Sequence, residues 1–507
     1  MEQREDKFCC KQTAMNVQNI TLETNSELSL PDYLGEISRL LRVWPRVLPP
    51  RRFISGGTAE FTGRICYDVL YAGDNGRLHH VDMEDTYSFS LPCQGEGASP
   101  VAFLLPDVVV GRVVAPRRLS VRCRMHAQAC TYLQREIGLA LPPEERECAC
   151  LLGETIESGR YFTGIGDAVE LQESFELPGQ APRVILSRGE VFLPEVTAAR
   201  GVVRCRGEVV VTLLCCEGGE GGEAAEAPLP FAVSRSLPFT AEVPLEGVSA
   251  EDTARAFGVV ESLREAVEGN RASLSVGVLL QVEAAGHETT CYVRDLFLPH
   301  KKTECVTAPH KSFVPTLCKN QNYSLSATPT LAEAGLPSGA TVIDACADAE
   351  ITEKSFKEGQ MTVRGDVHCQ LLYCTLGEWG VRELKIPFSI PLGGAVESAL
   401  LLPSVPICRV QQEATGLRVA AELVLAALGG SEVSFLPVLE VHTSPLAREA
   451  ASDLEFYYPA KDETLWEIAR RFALPPEEIA AANGFDAVLD TAPDISAETG
   501  YLMLPLP

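Results

Sequence analysis

Three stretches of the chain share one alternation of apolar and polar positions. They are Gly63-Arg-Ile-Cys-Tyr-Asp-Val-Leu-Tyr71, Gly207-Glu-Val-Val-Val-Thr-Leu-Leu-Cys215 and Gly365-Asp-Val-His-Cys-Gln-Leu-Leu-Tyr373. Two, four and six places after the Gly stand Ile65, Tyr67 and Val69, then Val209, Val211 and Leu213, then Val367, Cys369 and Leu371. This is the period of a strand, and the charged or polar residues between (Arg64, Asp68, Glu208, Thr212, Asp366, Gln370) predict one face on a core and one mostly on water. The next residue, Leu70, Leu214 or Leu372, breaks the alternation and predicts cover on both faces at the strand's end.

More of each copy repeats. Gly73-Asp74-Asn75-Gly76 has the residues a positive-φ hairpin turn requires. Return strands follow at Tyr87–Pro92, Leu237–Pro244 and Ile386–Pro391, with Phe89, Phe239 and Phe388 at 26, 32 and 23 residues from the Gly. The excess in the second copy falls in the acidic, Gly-rich stretch 217–227, which reads as a loop because no Lys-Ser/Thr follows to make a phosphate cradle. Each copy closes on a further alternating strand, through Leu119–Ala127, Leu274–Val282 and the Ala-rich, more helix-tolerant Leu417–Leu425. With the Gly markers 144 and 158 residues apart, the pattern predicts tandem β-rich domains, sandwich- or barrel-like, over 21–140, 150–299 and 320–445. Residues 1–20 read as a flexible polar arm, and 28–41 as an opening strand with a short helical turn before Trp44-Pro45 and Pro49-Pro50. Linkers are predicted near 142–147, 300–303 and 445–448, and Ala254, Phe257, Val260 and Leu263 predict a helical insert over 250–266.

The texture changes near 450. Residues 453–507 read strand, helix, helix, strand, a small α+β (βααβ) domain. Thr464 followed by Glu467 is a capping box, and Leu465, Ile468, Ala469 and Phe472 form one buried stripe. A second helix opens at Pro476 and stops at Asn483-Gly484.

Composition narrows the function classes. A formal net charge of −26 argues against nucleic-acid or anionic-membrane surfaces. The densely charged start is followed by no apolar signal segment, and apolar runs are too interrupted for a spanning helix, so a cytoplasmic protein is expected. The eighteen Cys include no Cys-x-x-Cys, which reads as reduced thiols. His79-His80 and His368-Cys369 offer at most half-sites, so no metal and no cofactor is expected. His287-Glu288 lacks the second His of a metalloprotease helix, and neither a nucleophile elbow nor a Walker loop occurs; a non-enzyme is expected.

Thr464-Leu465-Trp466-Glu467-Ile468-Ala469, Ile479, Asn483 and Leu504-Pro505 resemble the LysM family, with Asp462-Glu463 where that family usually has Gly-Asp. The resemblance implies N-acetylglucosamine-polymer binding by the two loops flanking the helices, here through Asp462, Glu463, Thr464, Leu465, Trp466, Asn483, Gly484, Phe485 and Asp486. The tandem blocks, with their Leu-Pro openings and Phe-Ser returns, resemble the SPOCS (DUF3794) domain. Such blocks followed by LysM are similar to the layout of SipL-like spore-coat morphogenetic proteins. That resemblance implies a non-catalytic adaptor in the mother cell, at the forespore surface. Its LysM region would engage a coat-basement ATPase like stage IV sporulation protein A and other coat proteins. The alternative it leaves is a peptidoglycan-binding cell-wall protein. Residues 451–507 hold eleven acidic and three basic side chains, which favours a basic protein patch as partner. Trp466 reads either as module packing or as a docking aromatic.

Overall fold

A computed structural model describes residues 9–93, 98–139, 141–179, 181–217, 229–393, 398–446, 454–489 and 500–505. The acidic stretch 218–227 of the predicted loop lies outside them. The protein is mostly β, with a small α+β domain at its C-terminal end.

The first block holds β1 (Cys9–Ser29), β2 (Ile37–Val47), β3 (Arg51–Ser55), β4 (Thr58–Gly73), β5 (Leu78–Pro92), β6 (Ser99–Ala115) and β7 (Arg118–Gly138). After α1 (Pro143–Cys148) the second holds β8 (Cys150–Ile165), β9 (Val169–Glu176), β10 (Pro182–Ala199), β11 (Val202–Glu217), β12 (Phe231–Pro244), β13 (Thr253–Glu268) and β14 (Arg271–Phe297). β15 (Lys301–Thr307) leads to the third, made of β16 (His310–Ala327), β17 (Thr341–Lys357), β18 (Gln360–Thr375), β19 (Glu378–Leu392), β20 (Ser398–Gln412) and β21 (Leu417–Phe435); β22 (Val438–Pro445) then pairs back with β15.

Each block is a pair of antiparallel sheets facing one core. The signature strand is central in one sheet, in the orders β2-β4-β5, β10-β11-β12 and β17-β18-β19. The closing strand is central in the other, in the orders β1-β7-β6, β8-β14-β13 and β16-β21-β20. The predicted inward residues are fully buried: Ile65, Tyr67, Val69, Val209, Val211, Leu213, Val367, Cys369 and Leu371 all have 0% exposure. The hairpin turn forms as read, with the Gly73 amide donating to Arg77 O and Gly76 at φ 70°.

Two expectations are corrected, and one strand reading holds against its composition. The flexible arm is absent over 9–20, where the chain forms the first half of β1, paired with β7 from Cys9↔Gly138 onward. Its polar residues have partners in other blocks: Thr13 is buried, donates from Oγ1 to Phe313 O (2.7 Å), and accepts from the Gly159 amide (2.9 Å). The helical insert is the strand β13. Ala254, Ala256 and Val260 face the core while Arg255 and Phe257 meet other blocks, and a bulge at Val260/Ser262 shifts the register, so burial on both faces disguised the alternation. The Ala-rich Leu417–Leu425 is strand as read, because partners on both sides and a core face override its helix tolerance. In addition, Trp44-Pro45 lies inside β2, the third block's first strand starts at His310 rather than 320, and the segment read as a linker at 142–147 carries α1.

Among the places where the blocks meet are two apolar seams, each drawn from all three. Leu70, Leu214 and Leu372 converge in the first, with Leu186, Cys374 and Trp379. These are the three residues that broke the repeat's alternation, and each is at most 1% exposed. Beside them the Asp344 carboxylate of the third block takes Arg42 of the first (3.1 Å) and both terminal nitrogens of Arg188 of the second (2.8 and 3.0 Å). Burial pushes the Asp344 carboxyl up, but the two guanidiniums outweigh it and hold it below the ordinary range. The second seam gathers Val101, Phe103 and Cys130, Ala285, and Leu400, Leu402 and Leu428. At its centre lies a buried ion pair, Arg255 Nε to Glu283 Oε2, with Arg255 also donating from Nη1 to Leu400 O and Ala426 O (3.0 Å each) and lying over the Phe103 ring.

Candidate functional site

The C-terminal module comprises β23 (Leu454–Tyr457), α2 (Leu465–Phe472), α3 (Pro476–Asn483) and β24 (Leu502–Pro505). β23 and β24 pair antiparallel, so the loop leaving β23 and the loop entering β24 emerge at one end of this ribbon. The Thr464 hydroxyl accepts from the Glu467 amide (3.3 Å) and the Glu467 carboxylate accepts from the Thr464 amide (2.9 Å), completing the predicted capping box. α2 stops at Ala473 and α3 at Gly484, both left-handed. The Trp466 amide donates to Leu489 O (3.2 Å), tying the start of α2 to the chain beyond α3 and bringing the two loops side by side.

The nine residues proposed from sequence divide by what they touch. Asp462, Gly484 and Asp486 are exposed, and Thr464, Asn483 and Phe485 are half-buried. Glu463, Leu465 and Trp466 are buried. Asp462 has φ 66°, the left-handed conformation a Gly adopts freely, so this chain keeps the turn while paying its strain with Asp. Glu463 faces inward, accepting from the Ala460 amide (3.0 Å) and Tyr457 Oη (2.8 Å) and pairing with Arg471 (2.7 Å). Burial first, and the Glu463 contact second, push the Tyr457 hydroxyl pKa up. Asn483 spans α3 and β24, donating to Ile479 O (2.7 Å) and Met503 O (2.8 Å) and accepting from the Met503 amide (2.8 Å). Leu465 is core.

Trp466 is neither a loop-facing residue nor packed wholly within the module. Its indole donates to Asp295 of β14 (2.9 Å) and lies 5.2 Å from the Phe297 ring. Arg470 joins Asp295, and the His300 amide donates to Ala473 O (3.0 Å). Leu152 and Phe297 complete the module's own apolar cluster. The second block thus occupies the face of α2 that carries Trp466. No spacing in the sequence pairs Asp295 with Trp466, 171 residues apart.

Residues 460–488 match the LysM domain family. The LysM match covers both loops and both helices, and leaves out the two strands of the ribbon. No curated protein and no solved structure matches the chain. A further feature of the LysM domain escaped the sequence reading: Phe456 and Tyr458 are exposed, and Tyr501 lies edge-on to both at 4.9 and 5.9 Å. The two-residue spacing of Phe456, in β23, and Tyr458, just past its end, was the available signal. Among the described residues, no helix is long and apolar enough to cross a membrane.

Proposed function

We propose that the chain is a non-catalytic glycan-binding protein whose LysM domain takes an N-acetylglucosamine polymer such as peptidoglycan. The LysM match over 460–488 carries this reading. The exposed backbone and side chains of the two adjoining loops, at Asp462, Gly484 and Asp486, offer donors and acceptors to a neutral sugar chain. Exposed rings at Phe456 and Tyr458 offer apolar faces on which pyranose C–H groups stack. The full-length chain is expected to sediment with purified peptidoglycan and to titrate with N-acetylglucosamine oligomers. Asp486→Trp, at an exposed loop position, is expected to weaken binding at least tenfold with an unchanged melting temperature. Absence of binding by the parent chain overturns the reading.

A second reading is a mother-cell adaptor at the forespore surface, docking a coat-basement ATPase of the sporulation protein A type. The acidic balance of 451–507, eleven carboxylates to three basic residues, favours it through attraction to a basic protein surface. Capture of that ATPase by the parent chain, salt-sensitive and undiminished by competing oligosaccharide, selects this reading over the first.

A further inference from the structure

On the outer face of β4 and β5, beside the first seam, three side chains converge. His80 Nε2 lies 3.2 Å from Asp68 Oδ1 and 3.0 Å from Asp82 Oδ1. Asp68 and Asp82 sit directly opposite each other in the register, and His80 is opposite Leu70, one step along the same face. All three ligand atoms lie within 4.8 Å of one another.

These separations fit a small cation. A tetrahedral zinc ion with bonds of about 2.0–2.1 Å holds its ligand atoms about 3.3 Å apart. Two edges of that triangle are already near this length. The third, carboxylate to carboxylate, closes by rotation of Asp82, whose side chain is 76% exposed, against Asp68, which is 10% exposed and fixed. The open side at Asp82 leaves the fourth position to water. One imidazole and two carboxylates suit a borderline divalent ion of the first transition row. Arg46 is close enough to act on Asp82, while Arg42 and Arg188, which line a pocket with Asp68, are engaged by Asp344.

The repeat supplies an internal control. In the second block the positions of Asp68, His80 and Asp82 are Thr212, Ala232 and Ser234, and in the third Gln370, Val381 and Glu383. Neither set contains a His. The fold therefore does not require this trio to make the strand pair or the seam. We propose that Asp68, His80 and Asp82 form a binding site for a divalent metal ion, zinc foremost, specific to the first block. On binding, the ion takes the place of a proton on His80 Nε2, which passes to solvent, leaving the neutral imidazole Nε2 as ligand.

The test uses the full chain, stripped with chelator and reduced, then dialysed against zinc or cobalt(II). About one equivalent of zinc is expected per chain, with cobalt giving the ligand-field absorption of a nitrogen and oxygen site. Asp68→Asn and His80→Gln are expected to weaken zinc binding at least tenfold, while His79→Gln retains it. Asp82→Asn, at the most exposed ligand, keeps the test valid if the buried substitutions misfold, and is expected to remove the rise in melting temperature that zinc gives the parent. Zinc bound equally by Asp82→Asn and the parent, no zinc bound by the parent, or a cobalt thiolate charge-transfer band in place of the nitrogen and oxygen spectrum overturns the proposal.

Discussion

The two seams solve one problem differently. In the first, equivalent leucines of three blocks close on one another and the charges stand to the side, where Asp344 grips Arg42 and Arg188. In the second, the charge lies in the middle: Arg255 and Glu283 occupy a register pair whose counterparts are Phe103 with Gln128 and Leu402 with Ala426. Apolar contact supplies adhesion at both, and it is indifferent to which block is which. The ionic contacts are not, since each joins side chains that only one block carries. The difference teaches that symmetric residues hold the blocks together and asymmetric ones order them.

That contrast breaks most sharply at Glu283. Burial pushes its carboxyl pKa well up, and Glu283 Oε1 and Arg255 Nη2 have no hydrogen-bond partner among the described residues. Glu283→Ala strands a buried guanidinium and is expected to cost about 3–5 kcal/mol by chemical denaturation. Arg255→Leu with Glu283→Ala, which copies the third block's pair, is expected to recover about 2 kcal/mol or more of that loss; a double variant as weak as the single one would show that the ion pair itself holds the seam.

Leu214→Ala at the first seam removes one of three converging side chains and is expected to cost about 2–4 kcal/mol, with faster proteolysis between blocks. Asp344 provides the pH arm. Its folded pKa is depressed, so its contribution is present above the ordinary carboxylate range and lost as pH falls through and below it. Asp344→Asn is expected to flatten the acid side of the melting-temperature profile and leave the neutral-to-alkaline side parallel to the parent. The smallest effect is expected outside the seams. Trp466→Phe keeps a ring against Phe297 but loses the bond to Asp295, costing about 1 kcal/mol, read as faster amide exchange in α2 with the LysM core still folded.

The sequence made the repeat legible because one face of each signature strand is buried, and even the seam was announced by Leu70, Leu214 and Leu372. The capping box of α2 was readable because its two partners are three residues apart. β1 and β13 were not, since their polar residues are satisfied by other blocks: Thr13 by Phe313 and Arg255 by Leu400 and Ala426. The same holds for the candidate site. Local rules found the two loops, but Glu463 and Trp466 face inward because of partners on β23 and β14 that no short-range pattern specifies. The Asp68, His80 and Asp82 trio was hidden because its ligands are spread over two strands and assembled by register alone.

Every block begins and ends on neighbouring strands: β1 lies beside β7, β8 beside β14 and β16 beside β21. A unit whose two ends leave from the same place can be copied in tandem, or spliced in whole, without rethreading the chain around its neighbours. Duplication thus comes at little topological cost, and what each copy must then supply is a leucine for the meeting point of Leu70, Leu214 and Leu372.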